Sequence, residues 1–209
     1  MQQSEYQKII EALLFASPEP LTQAKVNGVF DKESPNLQDI ASKLNGIYEK
    51  ENHAFEIKKI AGGYQLVSRS EYEHYIRRML NKTGKLALSS AALDTLAIIA
   101  YKQPISRYEI EAIRGVDSSG VIKTLLNRNL LKIKGRDSGP GRPLLYQTTK
   151  IFLEHFGLNR LSDMPKLKEI SELMEGDPAL GEQLEAFQVA NNELEQNRDH
   201  HSTRHKATK

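Results

Sequence analysis

An internal repeat with a spacing of 84 residues restricts the fold of this 209-residue chain more than any other feature. Two segments separated by that distance carry the same types of residue in the same order. The aligned pairs include Leu14 with Ile98, Ala16 with Ala100, Pro20 with Pro104, Leu21 with Ile105 and Thr22 with Ser106. An apolar helix, a turn that contains proline and a capped second helix therefore occur twice, which predicts two copies of one structural unit.

Hydrophobic spacing predicts three helices and a β-hairpin in each copy. Apolar residues recur at helical intervals in the third helix of the first copy, at Leu37, Ile40, Ala41, Leu44 and Ile47. The period then changes to two around a Gly62-Gly63 turn, and LLKIKGR and LLYQTT are the expected strands of the second copy. Helix caps are expected at Thr22, Asn36, Ser89 or Ser90, Ser106, and Ser118 or Ser119, with a helix end at Gly115.

Three helices followed by a hairpin form the winged-helix variant of the helix-turn-helix motif. We therefore expect a mostly α-helical protein with small β-hairpins, of class α+β, with tandem winged-helix domains at residues 1–82 and 83–167. A helix at residues 71–80 is expected to connect them, and KIFLEHFGL is expected to complete the second domain. Residues 168–209 have few apolar side chains and are expected to form a polar, disordered tail.

The motifs of the chain argue against an enzyme that depends on a cofactor. The absence of cysteine excludes disulfides, thiol catalysis and sites built on cysteine ligands. Gly84-Lys85 is followed by Leu86 rather than by Ser or Thr, so it does not match a phosphate-binding loop. Three of the six histidines fall in HHSTRH near the end, where a solvated polar segment is favoured over a metal site. We expect no cofactor, no metal site and no enzymatic activity.

Targeting segments are also not predicted. No basic flank precedes an apolar stretch at the N-terminus, and no apolar run approaches the ~18 residues that a membrane helix needs. Together with the absence of cysteine, this favours a cytoplasmic protein without a membrane partner.

Basic residues concentrate in one part of the chain, although the net charge is only +2. Residues 102–150 hold ten basic and four acidic side chains, whereas residues 1–80 hold ten and eleven. The residues expected to contact DNA are Lys123, Arg128, Lys132, Lys134 and Arg136, with Asn127 and Arg142 beside them. A solvated basic face is the competing interpretation. Without base-reading residues concentrated on a helix, any DNA binding is expected to be weak, nonspecific and strongly salt-dependent.

Three long strings in the sequence resemble the bacterial segregation and condensation protein B family. They are AIIAYKQPISRYEIEAIRGV, GRPLLYQTTKIFLEHFGL and, in the first copy, EALLFASPEPLT. The resemblance implies a tandem winged-helix protein that forms a homodimer, mainly through its N-terminal domain. It also implies binding to a kleisin, which closes the ring of a structural-maintenance-of-chromosomes (SMC) ATPase. Such a subunit is a non-enzymatic, nucleoid-associated adaptor in chromosome condensation and partition during cell division.

The resemblance further implies where the kleisin lies. The expected contact residues combine aromatic, aliphatic and arginine side chains near the helix turns of the second domain. They are Tyr101, Pro104, Arg107, Tyr108, Ile113, Arg114, Val116 and Arg142. Tyr101 and Ile113 have a second interpretation as core residues, and Arg142 either recognises a partner carboxylate or belongs to a tight hairpin. A winged-helix DNA-binding transcriptional regulator is the alternative function.

Overall fold

The computed structural model describes residues 3–30, 33–80 and 88–166, which divide into two compact units. The fold is mixed α and β, with eight α-helices and two small antiparallel sheets in the described residues. The first unit contains residues 3–80 and Lys150–Asp163, and the second contains residues 88–149 and 164–166. The predicted polar tail at residues 168–209 lies outside the described residues.

The first unit has three helices and a hairpin in the predicted order. Its elements are α1 (Gln3–Ala16), α2 (Gln23–Asn27), α3 (Leu37–Lys50), β1 (Phe55–Ile60), β2 (Gly63–Ser68), a 3-10 turn (Ser70–Tyr72) and α4 (Glu73–Leu80). The two strands pair antiparallel, as the glycine pair predicted. Apolar residues of α1, α2, α3 and β1 share one core, in which Ile10, Val26 and Leu37 are deeply buried.

Polar residues cap the helices of the first unit where the sequence predicts. Thr22 Oγ1 accepts the backbone N–H of Lys25 at 3.3 Å, and Asn36 Oδ1 accepts that of Asp39 at 3.2 Å. Each bond satisfies a donor that the first turn of a helix leaves without an intrahelical partner. The starts of α2 and α3 are therefore set by local chemistry.

The segment before α2 pairs with the hairpin, which the sequence did not predict. Leu21 and Tyr64 exchange two backbone hydrogen bonds of 2.7 and 2.8 Å. This pairing brings Pro20 so close that a Cβ atom on Gly63 would lie 2.9 Å from Pro20 Cβ and 2.9 Å from the Leu21 carbonyl oxygen. The second residue of the glycine pair is thus needed for close backbone approach.

The prediction that Ile47 belongs to the apolar stripe of α3 is wrong. Ile47 is exposed, and Tyr48 is buried in its place. Tyr48 lies four residues after Leu44, so it continues the buried face at helical spacing. Its hydroxyl donates to Glu11 Oε1 at 2.7 Å, and this bond lets a side chain with a polar end occupy a core position.

The segment Lys150–Asp163 includes α8 (Lys150–His155) and a 3-10 turn, and it groups with the first unit. The sequence predicted instead that KIFLEHFGL completes the second domain. The backbone N–H of Ala61 donates to the carbonyl of Leu158 at 2.9 Å, and that of Gly62 donates to Asn159 Oδ1 at 3.0 Å. These bonds hold the segment against the β1–β2 turn.

The second unit repeats the order of helices and hairpin. Its elements are α5 (Ser90–Lys102), β3 (Ile105–Ser106), α6 (Arg107–Arg114), α7 (Ser119–Asn127), β4 (Leu131–Arg136) and β5 (Leu144–Thr148). The strands form one antiparallel sheet in the order β3-β5-β4. The short strand β3 was not predicted. Ile105, its first residue, pairs with Tyr146 as the aligned Leu21 pairs with Tyr64.

Three predicted boundary signals of the second unit are confirmed. Ser89 Oγ accepts the backbone N–H of Ala92 at 3.3 Å. Ser106 and Glu109 form a capping box in which each side chain bonds the other residue's backbone N–H. Gly115 ends α6 with a φ of 72°, a left-handed conformation that glycine adopts without steric cost.

Candidate partner-binding surfaces

Polar side chains connect α6 to the start of α7 in the second unit. Arg107 Nη1 donates to Ser119 Oγ at 3.0 Å, and Arg114 Nη1 donates to Ser118 Oγ at 2.8 Å. Glu111 Oε1 accepts the backbone N–H of Ser118 at 3.1 Å. Ser118 stands at the N-cap position but makes no capping bond with its side chain, because its hydroxyl takes part in this network. The α6–α7 turn is therefore cross-linked by several partly buried hydrogen bonds.

The eight residues predicted to contact a partner differ in exposure. Pro104, Tyr108, Val116 and Arg142 are exposed, whereas Tyr101, Arg107, Ile113 and Arg114 are partly buried. Tyr108 is 65% exposed and Val116 is 55% exposed. Aromatic and aliphatic side chains that remain exposed to solvent beside this hydrogen-bonded turn are candidates for protein contact.

Tyr101 and Arg107 make contacts within the chain. The hydroxyl of Tyr101 donates to the carbonyl of Pro165 at 2.8 Å. Arg107 Nε lies 3.6 Å from Glu111 Oε1, and its guanidinium lies 5.4 Å from the centre of the Tyr108 ring. The second distance is within the range of a cation–π contact, so Arg107 helps to orient Tyr108.

Arg142 has a defined role in the turn between β4 and β5. Its φ is 42°, and its carbonyl oxygen accepts a bond from Arg136 Nη1 at 3.1 Å. Its own N–H donates to the carbonyl of Gly139 at 3.1 Å, and Asp137 N–H donates to the carbonyl of Pro143 at 2.8 Å. The backbone of Arg142 therefore belongs to the tight hairpin, while its side chain stays exposed.

Basic residues cover the third helix and the hairpin of the second unit. All five predicted DNA-contacting side chains are exposed: Lys123, Arg128, Lys132, Lys134 and Arg136. Residues 118–136 contain these five basic residues and no acidic one, whereas the equivalent residues 36–60 contain four of each. We call residues 118–136 the basic segment. The two copies share an order of elements but differ in charge on corresponding surfaces.

An apolar groove of about 650 Å³ lies in the first unit, and the sequence did not predict it. Side chains of α1 and of the hairpin line it, among them Ala12, Phe15, Phe55 and Leu66. Phe15 is 82% exposed. The run Leu13-Leu14-Phe15 contained a signal for this surface, because three consecutive apolar residues on a helix cannot all face one core.

In the part of the chain that the structure describes, no three side chains of the His, Asp and Glu types come together as metal ligands would. The histidine-rich HHSTRH lies outside the described residues. No helix among the described residues has the length and apolar character to cross a membrane.

The strings that resemble segregation and condensation proteins extend through both units, and a family model agrees with them. The model described as "Segregation and condensation complex subunit ScpB" matches residues 8–167. The chain belongs to the ScpB family. This confirms the predicted resemblance and makes the chain a member of a family of segregation and condensation subunits.

Relatives within the ScpB family match most of the chain. Segregation and condensation protein B of Syntrophotalea carbinolica is 44% identical over 176 residues, covering 84% of this chain and 89% of that protein. The protein of the same name from Clostridium tetani is 42% identical over 164 residues, covering 78% and 87%. The crystal structure of ScpB from Mycobacterium tuberculosis is 28% identical and covers 76% of this chain and 98% of that one, with a TM-score of 0.35.

Proposed function

We propose that this ScpB-family chain is a non-enzymatic adaptor that binds a kleisin as a homodimer. Through the kleisin it associates with an SMC ATPase, and it acts in the cytoplasm, at the nucleoid, in chromosome condensation and partition during cell division. We also propose that each unit is a winged-helix domain. The family membership supports the role in segregation and condensation, and the repeated order of three helices and a hairpin supports the domain type.

The observation that carries the kleisin-binding proposal is that Tyr108 and Val116 are exposed beside the hydrogen-bonded α6–α7 turn. Tyr108 and Val116 offer apolar surface that the second unit does not bury. Arg107 orients the Tyr108 ring, so little conformational entropy is lost when a partner packs on it. A tyrosine that becomes buried on binding, with an arginine neighbour, is typical of the residues that dominate binding energy in protein interfaces.

The groove of the first unit supports the homodimer part of the proposal. In a two-fold dimer the same patch faces itself, so that patch must complement its own chemistry. Lys8 and Glu11 both lie on the groove and give it one charge of each sign, while Phe15 supplies a protruding apolar side chain. Residues 1–80 have ten basic and eleven acidic residues, so two copies meet without strong repulsion. A transcriptional regulator, the alternative function, receives no comparable support from family membership.

Light scattering coupled to size exclusion tests the adaptor proposal. The chain alone should elute at twice its mass of 23.6 kDa, and it should gain mass when the kleisin from the same organism is added. Tyr108→Ala should weaken kleisin binding at least tenfold, because truncation of a central interface residue costs more than about 1.4 kcal/mol of binding free energy. Its melting temperature should remain near that of the parent chain, since Tyr108 is exposed.

Tyr75→Ala is the matched control, because Tyr75 is 70% exposed on α4, outside the α6–α7 turn. Its affinity for the kleisin should equal that of the parent chain. A monomer whose mass does not change with the kleisin would refute the adaptor proposal. A dimer that binds the kleisin equally well with and without the Tyr108 ring would place the contact elsewhere on the chain.

A further inference from the structure

We propose that the basic segment of the second unit binds the phosphate backbone of duplex DNA without sequence preference. This interaction goes beyond the adaptor role, since an adaptor needs only protein partners. It rests on the charge, exposure and placement of the residues of α7 and β4.

Charge is the first argument. The basic segment carries five positive side chains in 19 residues and no negative one. The nearest acidic residues in sequence bond to groups of the chain itself. Asp117 accepts the Ser119 hydroxyl at 2.6 Å, a bond that lowers the pKa of this carboxyl group, and Asp137 accepts the backbone N–H of Gly139 at 3.2 Å. These two bonds join the carboxylates to a neutral hydroxyl and a backbone amide rather than to a basic side chain of the segment, which therefore presents five positive charges to an anion.

Exposure and placement are the second argument. β4 lies at the edge of its sheet, and every residue after Leu131 is exposed on this strand. A bulge between Ile133 and Gly135 leaves Lys134 without a partner in the strand register. Bulges of this kind turn a side chain away from the regular pleat. On α7, Lys123 and Asn127 are exposed, and these side chains are common donors to phosphate oxygens.

Lysine on an edge strand has a second interpretation, because charge at a sheet edge prevents strands of other molecules from pairing there. The two roles respond differently to charge reversal. Glutamate at positions 132 and 134 would protect the edge as well as lysine does, but it would repel phosphate. A variant with both Lys132→Glu and Lys134→Glu therefore separates the two roles.

Fluorescence anisotropy of the full chain with two labelled duplexes of unrelated sequence tests the proposal. Both duplexes should bind with equal affinity. Five phosphate contacts predict a slope of log K against log salt of about −4.5, which is about 500-fold weaker binding at 200 mM than at 50 mM salt. The double Lys→Glu variant should reduce the magnitude of this slope by about 2.

The hairpin of the first unit supplies a matched control. Lys58→Glu with Lys59→Glu makes the same charge change on exposed residues of β1 and should leave the slope unchanged. Equal loss of binding in both double variants, or no binding by the parent chain at 50 mM salt, would overturn the proposal. Strong preference for one duplex would also overturn it, since backbone contacts carry no sequence information. If Lys132→Glu with Lys134→Glu reduced kleisin binding and left DNA binding unchanged, the surface would belong to a protein partner.

Discussion

Asn45 is predicted to anchor the first hairpin to α3, and its removal should destabilise the first unit strongly. Its side chain brackets the backbone of Ile57: Oδ1 accepts the Ile57 N–H at 2.8 Å, and Nδ2 donates to the Ile57 carbonyl at 2.8 Å. Ile57 is itself buried, at 5% exposure. Asn45 is therefore the hydrogen-bonded link between α3 and β1.

The substitution Asn45→Ala leaves both polar groups of Ile57 without this partner. Each buried orphan group costs about 1–3 kcal/mol. Alanine is a better helix former than asparagine by about 0.6 kcal/mol, which offsets part of that loss. Water that enters the space satisfies part of the rest, because Asn45 is only partly buried. We therefore expect a loss of about 2–4 kcal/mol in the free energy of unfolding.

Urea denaturation of the full chain, followed by far-UV circular dichroism, measures this loss, and hydrogen exchange of the β1 backbone localises it. Ser42→Ala is the control, because Ser42 is exposed on the same helix and reports the change in helix propensity alone. Asn45→Asp keeps the acceptor but loses the donor, so it should recover little of the stability. If the stability of Asn45→Ala lay within about 0.5 kcal/mol of that of Ser42→Ala, the two hydrogen bonds to Ile57 would contribute nothing to the free energy of unfolding, which would refute this prediction.

Two other substitutions test single contacts of the first unit. Burial and the bond to Glu11 raise the pKa of the Tyr48 hydroxyl, so the unfolded chain loses this proton first, near pH 10. Tyr48→Phe should lower the free energy of unfolding by about 2 kcal/mol at pH 8. Urea denaturation should show the difference between the two chains shrinking above pH 10, where the parent chain loses stability. A difference that stays constant up to pH 11 would contradict this reasoning. Gly63→Ala should cost about 1–3 kcal/mol, because the new methyl group meets Pro20, whereas Gly46→Ala in the open interior of α3 should stabilise by about 0.5–1 kcal/mol. Thermal unfolding distinguishes these signs, and equal effects would refute the steric argument.

Local chemistry explains why the sequence predicted so much of the fold. A cap such as Thr22 or Ser106 acts on a backbone group three residues away, and the apolar stripe of α3 is visible within four turns. Features that depend on distant pairing were missed. The bond pair between Leu21 and Tyr64 and the hydrogen bond from Ala61 to Leu158 join residues whose proximity no local pattern indicates.

The candidate surfaces divide in the same way. The charge of the basic segment is visible in the sequence, since charged side chains rarely stay buried. The sequence does not show which apolar residues are exposed. Phe15 and its aligned partner Ile99 are both apolar, but Ile99 is fully buried and Phe15 is exposed. Which apolar residue stays in solvent depends on how the unit packs around it, so the groove emerged only from the structure.

Comparison of the two copies separates scaffold from function. Positions that build the unit keep their chemistry: Thr22 and Ser106 both cap a helix, and Leu21 and Ile105 both pair with a tyrosine of the hairpin. Residues on the surface of the third helix and the hairpin do not keep their chemistry. Residues 36–60 of the first copy have four charges of each sign, whereas residues 118–136 of the second have five positive charges and no negative one. Folding requirements act on the core positions of both copies and leave the charge of these surfaces open. The charges of the two surfaces match the contacts proposed for them, since self-association at the first unit needs balanced charge and phosphate binding at the second needs positive charge.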